Sequence, residues 1–350
     1  MAESDGLFGD NQSINDTDDI SVIQQIKNKL PIILCVIIVI ISGSSQGILI
    51  PLCTLYIPSA YFILLVSVIE INVIFTIIMI YYYFRIDNNI FKLELESILP
   101  AIFAGICCFL MCLTKVYASN PNRTSPIMQS TLGATTLMFS VIFSKLFLKK
   151  VISYNPTFVI LSVIAITCSV LLPFIYELII IGIHTGVLWT LCYEIGVSFR
   201  GLYIVAQEKY FIDLDGIHFD DKIKLLFYTN IIQIPLVIPS VGFEYIFENS
   251  TTVNTDLLGS VEILFTDYKI FFLFHGFILS YFIFLGSTIW LNTYSSNYVA
   301  VTAVIITPAV TIFFQIFSNL VEEITYPLYI IIPSLLLSVC GTLLWIFGEN

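Results

Sequence analysis

The chain has 350 residues, of which 58% are hydrophobic and only 11% charged, and its mean hydropathy is +0.95. A soluble domain carries roughly 25% charge, so an aqueous globule is excluded and a polytopic membrane protein is expected. The formal net charge of −11 sits mainly in the N-terminal tail and the outer loops, and no basic patch exists that would hold a nucleic acid.

Residues 1–27 form an acidic cytosolic tail, with Glu3, Asp5, Asp10, Asp16, Asp18 and Asp19 and no basic residue before Lys27. It lacks a charged region followed directly by an apolar core, so it does not read as a cleavable signal peptide. Residues 1–18 read as disordered. The spaced Ile and Val from Ile20 to Ile26 predict a short amphipathic helix on the membrane surface.

A membrane span needs about 20 apolar residues to cross ~30 Å of hydrocarbon. Such runs fall near 30–52, 58–84, 98–117, 126–148, 155–174, 183–206, 223–247, 270–292, 297–320 and 325–347. The expected fold class is an all-α membrane protein with ten transmembrane helices, split into halves at 28–177 and 178–350. The least distinct boundary is the fifth, where only Pro173, Glu177 and a short apolar link precede His184. Fusing spans five and six would invert everything that follows.

With a cytosolic N-terminus, eleven of the fourteen basic residues lie inside: Lys27, Lys29, Arg85, Lys92, Lys145, Lys149, Lys150, Arg200, Lys209, Lys222 and Lys224. Lys115, Arg123 and Lys269 lie outside. This positive-inside bias puts both termini in the cytosol. The longest connection, 248–268, is then luminal; it is acidic, and Leu257, Leu258, Val261, Leu264 and Phe265 predict a second surface-lying helix there. Asn249-Ser250-Thr251 in that loop, and Asn122-Arg123-Thr124 near the membrane, match the acceptor pattern for N-glycosylation.

Ionisable and amide groups inside the spans are where chemistry is expected, because burying them in hydrocarbon is costly unless they line a cavity or find a partner. Glu70, Glu194 and Arg200 stand out, with Gln46, Gln129, Asn230, Gln233 and His275 adding hydrogen-bonding capacity. Together they predict a wetted substrate cavity. Glu194 and Glu70 are the candidate proton-coupling groups; Lys115 and Lys145 read as snorkelling from span ends. Glu194 and Arg200, six residues apart, point about 120° from one another and form no simple intrahelical pair. Glu244 lies near the outer boundary and reads as solvated.

The eight cysteines all fall in spans without zinc-type spacing and read as packing residues, so no metal is expected. No phosphate-binding loop of the G-x-x-x-x-G-K-[ST] type occurs, and no cofactor is expected. Gly43-Ser44-Ser45-Gln46-Gly47 imitates a nucleophile elbow, but that motif needs a strand-to-helix turn with His and an acid nearby. Inside an apolar helix it reads instead as a small-residue packing face, Gly43-x-x-x-Gly47, echoed by Gly182 and Gly186 in span six. That echo, and the Thr-rich, Phe-ended spans four (from Ser125) and nine (from Tyr298), fit two inverted five-helix halves. Pro235, Pro239 and Pro308 are expected to break their helices.

Leu113-Thr114-Lys115, Met128-Gln129-Ser130, Ala206-Gln207-Glu208-Lys209-Tyr210-Phe211, and Tyr294-Ser295-Ser296-Asn297-Tyr298 leading to Thr307-Pro308 carry a resemblance. In their order and spacing over residues 30–345 the chain resembles the chloroquine-resistance-transporter-like family of the drug/metabolite transporter superfamily. The resemblance implies ten helices in inverted halves and transport of peptides, amino acids, glutathione-like thiols or cationic drugs out of acidic vacuoles. It also implies that Gln129 faces the cavity and that Glu208 is the acid of a basic–acidic pair whose basic member is here Gln207. The paired cysteines that hold the long outer loop in some members have no counterpart between Glu248 and Tyr268.

The expected function is therefore a secondary transporter of small organic solutes, not an enzyme, working as a monomer in a vacuolar, lysosomal or other endomembrane. A nucleotide-sugar or sugar-phosphate exchanger is the alternative within the superfamily, with Arg200 the only cation placed for it. A channel or receptor is the alternative from another class.

Overall fold

A computed structural model describes residues 13–86, 91, 95–149, 155–180, 186–212, 219–247, 253–294, 306–314 and 327–348, and these residues contain no strand. The helices run α1 Ser13–Tyr56, α2 Ala60–Arg85, α3 Leu95–Ala118, α4 Pro126–Gly133, α5 Thr136–Phe143, α6 Pro156–Ile180 and α7 Gly186–Ile212. They continue as α8 Phe219–Ile231, α9 Gln233–Val237, α10 Val241–Phe247, α11 Val253–Thr266, α12 Tyr268–Tyr294, α13 at 306–314 and α14 Leu328–Gly348. A π-helical turn, Ser144–Leu148, extends α5.

Among the described residues seven stretches are long and apolar enough to cross a bilayer: Leu30–Tyr56, Ala60–Arg85, Ile98–Ala118, Pro126–Leu148, Pro156–Ile179, Tyr268–Leu291 and Tyr329–Gly348. Asp220–Val237 with Val241–Phe247, bent by 51°, makes an eighth if the pair is one span. The bend lies at Ile238–Ser240, where Pro239 withholds a backbone N–H, and Pro235 lies in the short α9 just before it. α7 has 27 residues, about 40 Å of helix. It is long enough to span but more polar than the others, because Glu194, Arg200, Glu208 and Lys209 interrupt it. Most of span nine lies outside the described residues.

Two expectations are corrected. α6 does not stop near 174: it continues through Pro173 and Glu177 to Ile180, so the 177/178 division falls inside a helix, and spans five and six are separate helices flanking 181–185. Glu177 is tolerated there because it is buried against Ser125, whose hydroxyl donates to its carboxylate. Residues 20–26 are not a separate surface helix but part of a continuous α1 of 44 residues.

The largest packed interfaces join α3 to α7, α6 to α14 and α1 to α12. The N-terminal end of α2 is held by polar contacts. Ser59 caps it by accepting from the Phe62 N–H at 3.0 Å. Glu244 of α10 accepts from the Tyr61 N–H at 2.9 Å and from the Tyr117 hydroxyl at 2.7 Å. The long connection does form a helix, α11, whose Ser260 hydroxyl oxygen accepts from the Ser59 N–H at 3.0 Å while Leu258 and Phe265 remain exposed. Glu244, read as solvated, is thus 1% exposed.

Candidate functional site

One space lies between α1, α2, α3, α7, α8–α9 and α12, and a second between α1, α3, α4, α7 and α13. The two share Gln46, Ile50, Lys115 and Arg200, so they are adjoining lobes of one cavity. The first lobe is mostly apolar, with Leu64, Val68, Ile71, Phe277 and Phe284, and carries Asn230 and Gln233 at one side. The second is rich in hydroxyl and amide groups, with Gln129, Ser130, Tyr193, Thr307 and Thr311.

Close helix approaches shape this space. A Cβ on Gly43 would lie 2.8 Å from Thr307 Cγ2, so the predicted Gly43-x-x-x-Gly47 face does pack tightly, against α13. Its proposed echo does not: Gly186 has nothing within 4 Å, and Gly182 lies outside the described residues. The tight glycines of α7 are Gly196, where a Cβ would meet Thr114 Oγ1 at 2.5 Å and Lys115 Cγ at 2.8 Å, and Gly201, pressed on Phe139 and Ser140. Gly196 lets α7 lie against α3 beside Lys115.

Of the side chains expected in a cavity, Gln46, Gln129, Arg200, Asn230 and Gln233 are brought together there. Gln46 donates to the Ser280 carbonyl at 3.4 Å. Gln129 donates to the carbonyls of Ser119 at 2.8 Å and Thr124 at 2.7 Å, tying the α3–α4 turn while its helix forms the wall. Asn230 donates to Leu226 O, and Gln233 to Asn230 Oδ1 at 3.2 Å.

Glu70, Glu194 and His275 are not among the lining side chains. Glu70 and His275 pair with each other across α2 and α12 at 3.4 Å, both about one third exposed on the outer face of the bundle. Glu194 lies behind the second lobe, where its Oε1 is 2.8 Å from the Thr135 hydroxyl in the break between α4 and α5, and its Oε2 is buried with no hydrogen-bond partner. Gln207 is buried, and neither Gln207 nor Glu208 lines the cavity. Asn122 is exposed and Asn249 lies outside the described residues. Ser45 donates to Ile41 O of its own helix at 2.9 Å.

The residue missed by sequence reasoning is Lys115. Its stem does not carry it to the interface. Its Nζ lies 5.3 Å from the Tyr193 ring centroid, and the Arg200 guanidinium 4.7 Å from that of Phe284, so each cation rests on an aromatic face. Neither makes an ion pair with a carboxylate among the described residues. One signal for it was present: Lys115 is one of only three basic residues on the side that the positive-inside rule leaves poor in charge.

The cysteines are free thiols, but not all are passive packing. Cys108 and Cys112 lie 3.2 and 3.0 Å from the Tyr281 hydroxyl, and Cys112 and Tyr281 line the first lobe. No group of three or more His, Cys, Asp or Glu among the described residues could hold a metal ion. No protein-family model matches the chain, and no curated protein matches it.

Proposed function

We propose that the chain is a secondary transporter of the drug/metabolite type, built of ten spans in two inverted five-helix halves, which moves small organic solutes through the cavity by alternating access. The observation that carries this reading is a packing pattern that survives exchange of the halves. Number the spans α1, α2, α3, α4–α5, α6, α7, α8–α10, α12, α13 and α14. Adding five to each member turns the contact of spans three and six into that of eight and one, and the contact of five and ten into itself; these are the three largest interfaces. The rule extends to glycine contacts: Gly43 and Gly47 seat span one on span nine, and Gly201 seats span six on span four. The two self-equivalent spans four and nine also meet, Pro308 Cγ lying 3.1 Å from where a Gly133 Cβ would be. A receptor or simple channel has no need of such a relation, whereas a carrier uses two equivalent halves to open one site to either side.

Helix breaks sit where such motion would be needed. α4 gives way to α5 at Ala134–Thr135 beside the second lobe, and span seven bends at Ile238–Ser240. Resemblance to the chloroquine-resistance-transporter-like family agrees with this reading and with an acidic endomembrane compartment, both termini being cytosolic. Amino acids, small peptides and thiol-bearing acids suit the cavity. Cationic drugs suit it poorly, since Lys115 and Arg200 both open into it. The same pair supplies the second cation that a sugar-phosphate exchanger needs.

Reconstitution tests the proposal. Purified protein in sealed vesicles with an imposed pH gradient should accumulate labelled solute saturably, with counterflow when unlabelled solute is trapped on the far side. Flux that neither saturates nor shows counterflow would indicate a channel, and binding without any flux a receptor.

A further inference from the structure

We infer that the cavity is a binding site for a small organic anion, whose carboxylate or phosphate group lies between Lys115 and Arg200 at the junction of the two lobes. This rests on the carrier reading for its physiological use, but the site stands on its own geometry. Lys115 and Arg200 are the only charged side chains lining either lobe among the described residues, and both line both lobes. Each is held by a ring rather than by a carboxylate, so its donors remain available. The two come from α3 and α7, the most extensively packed pair of helices, so their spacing is fixed by a rigid interface.

Two like charges in a partly dehydrated space repel one another and lose hydration. An anion between them relieves both costs. Arg200 offers a planar fork for two parallel hydrogen bonds, and Lys115 a point charge. The rest of the cavity specifies the remainder of the ligand. On one side lies an apolar wall of Val68, Ile71 and Phe277 for a carbon frame; on the other Ser130 and Thr311, whose hydroxyls donate within their own helices, can accept from hydroxyl or amide groups. A cationic solute would meet the same field with the opposite sign.

The test is direct binding to the full-length protein in lipid nanodiscs, by calorimetry and thermal shift, with malate, glucose 6-phosphate, glucose and choline as probes. Malate or glucose 6-phosphate should bind and raise the melting temperature, while glucose and choline should not; which anion binds more tightly tells carboxylate from phosphate. Lys115→Gln and Arg200→Gln should each weaken anion binding by roughly tenfold or more. Lys115→Arg, which keeps the charge, should retain most of it. Each variant's melting temperature without ligand reveals one that merely folds poorly. Failure of both anions to bind, preference for choline, or anion affinity unchanged in both glutamine variants overturns the inference. Because binding needs no flux, anion binding without uptake would remove the carrier and leave the site. Uptake restricted to cations would remove the site and leave the carrier.

Discussion

Gly47 and Thr311 lie so close that a single added methyl on the glycine would sit 2.8 Å from Thr311 Cγ2, well inside van der Waals contact. The contact belongs to α1 and α13, and both residues line the second lobe of the cavity. Gly47→Leu should therefore force these helices apart, at a cost of about 1–3 kcal/mol or more from overpacking. Fluorescence-detected size exclusion should show a reduced monodisperse yield. Ser45→Ala, which removes only a hydroxyl bonded to its own helix, should leave yield and transport nearly unchanged. Activity lost in that variant with the fold preserved would instead revive a nucleophilic serine.

Glu194 shares the Thr135 hydroxyl with a backbone carbonyl: that hydroxyl lies 2.8 Å from Glu194 Oε1 and 2.7 Å from Leu132 O. Its charge also acts on Lys115 of α3. Ionised Glu194 attracts Lys115 and so competes with an anionic solute for it, whereas protonated Glu194 does not. Proton and anion should thus bind cooperatively, by a factor within the usual 5- to 150-fold range of coupling between sites. Uptake should rise as the pH on the loading side falls. The Glu194→Gln variant should fold, transport at a rate close to the low-pH limit, and lose most of the pH dependence. Initial rates measured over a pH series decide; a wild-type profile in the variant would shift the coupling role to the Glu70–His275 pair or remove proton coupling.

Glu244 joins three elements through one carboxylate oxygen, accepting from the start of α2 and from Tyr117 of α3. Glu244→Ala would leave the buried Tyr61 N–H and Tyr117 hydroxyl without this acceptor and should destabilise the protein by about 2–4 kcal/mol. Tyr117→Phe removes one donor only and should cost about 1 kcal/mol. Thermal unfolding in detergent ranks the two, and the reverse order would mean that burying the Glu244 carboxylate costs more than its two hydrogen bonds return.

If eleven of the fourteen basic residues face the cytosol, tags on both termini should be digested in intact vesicles of cytosol-out orientation, whereas a tag in 248–268 should be protected until those vesicles are permeabilised. Termini found on opposite faces would mean an odd number of spans and would remove the symmetry on which the carrier proposal rests.

Much of the architecture was legible because hydrocarbon imposes a length and a polarity on each span. Apolar runs of the right length marked α1, α2, α3, α6, α12 and α14, and the amphipathic spacing of Leu257 to Phe265 marked α11. The end of α6 was misplaced because Pro173 and Glu177 look like breakers, and nothing local reveals that Glu177 has Ser125 as a buried partner 52 residues away. The glycine contact of α1 was readable from spacing alone; in α7 a close contact was sought at Gly186, where there is open space, whereas the tight glycines are Gly196 and Gly201.

Composition and spacing by themselves determined that this is a helical membrane protein and that amides such as Gln46, Asn230 and Gln233 would be drawn inward, since a hydrogen-bonding group facing lipid has no partner. Which ionisable groups share the interior was decided only by tertiary structure. Sequence position placed Glu70, Glu194 and His275 in the cavity and Lys115 at the interface, whereas packing turned Glu70 and His275 toward each other, Glu194 toward Thr135, and Lys115 inward to Arg200. The sign of the cavity's charge depends on the rotation of each helix about its axis. That rotation is set by where a neighbour can approach closely, as α7 approaches α3 at Gly196, and no single helix carries that information alone.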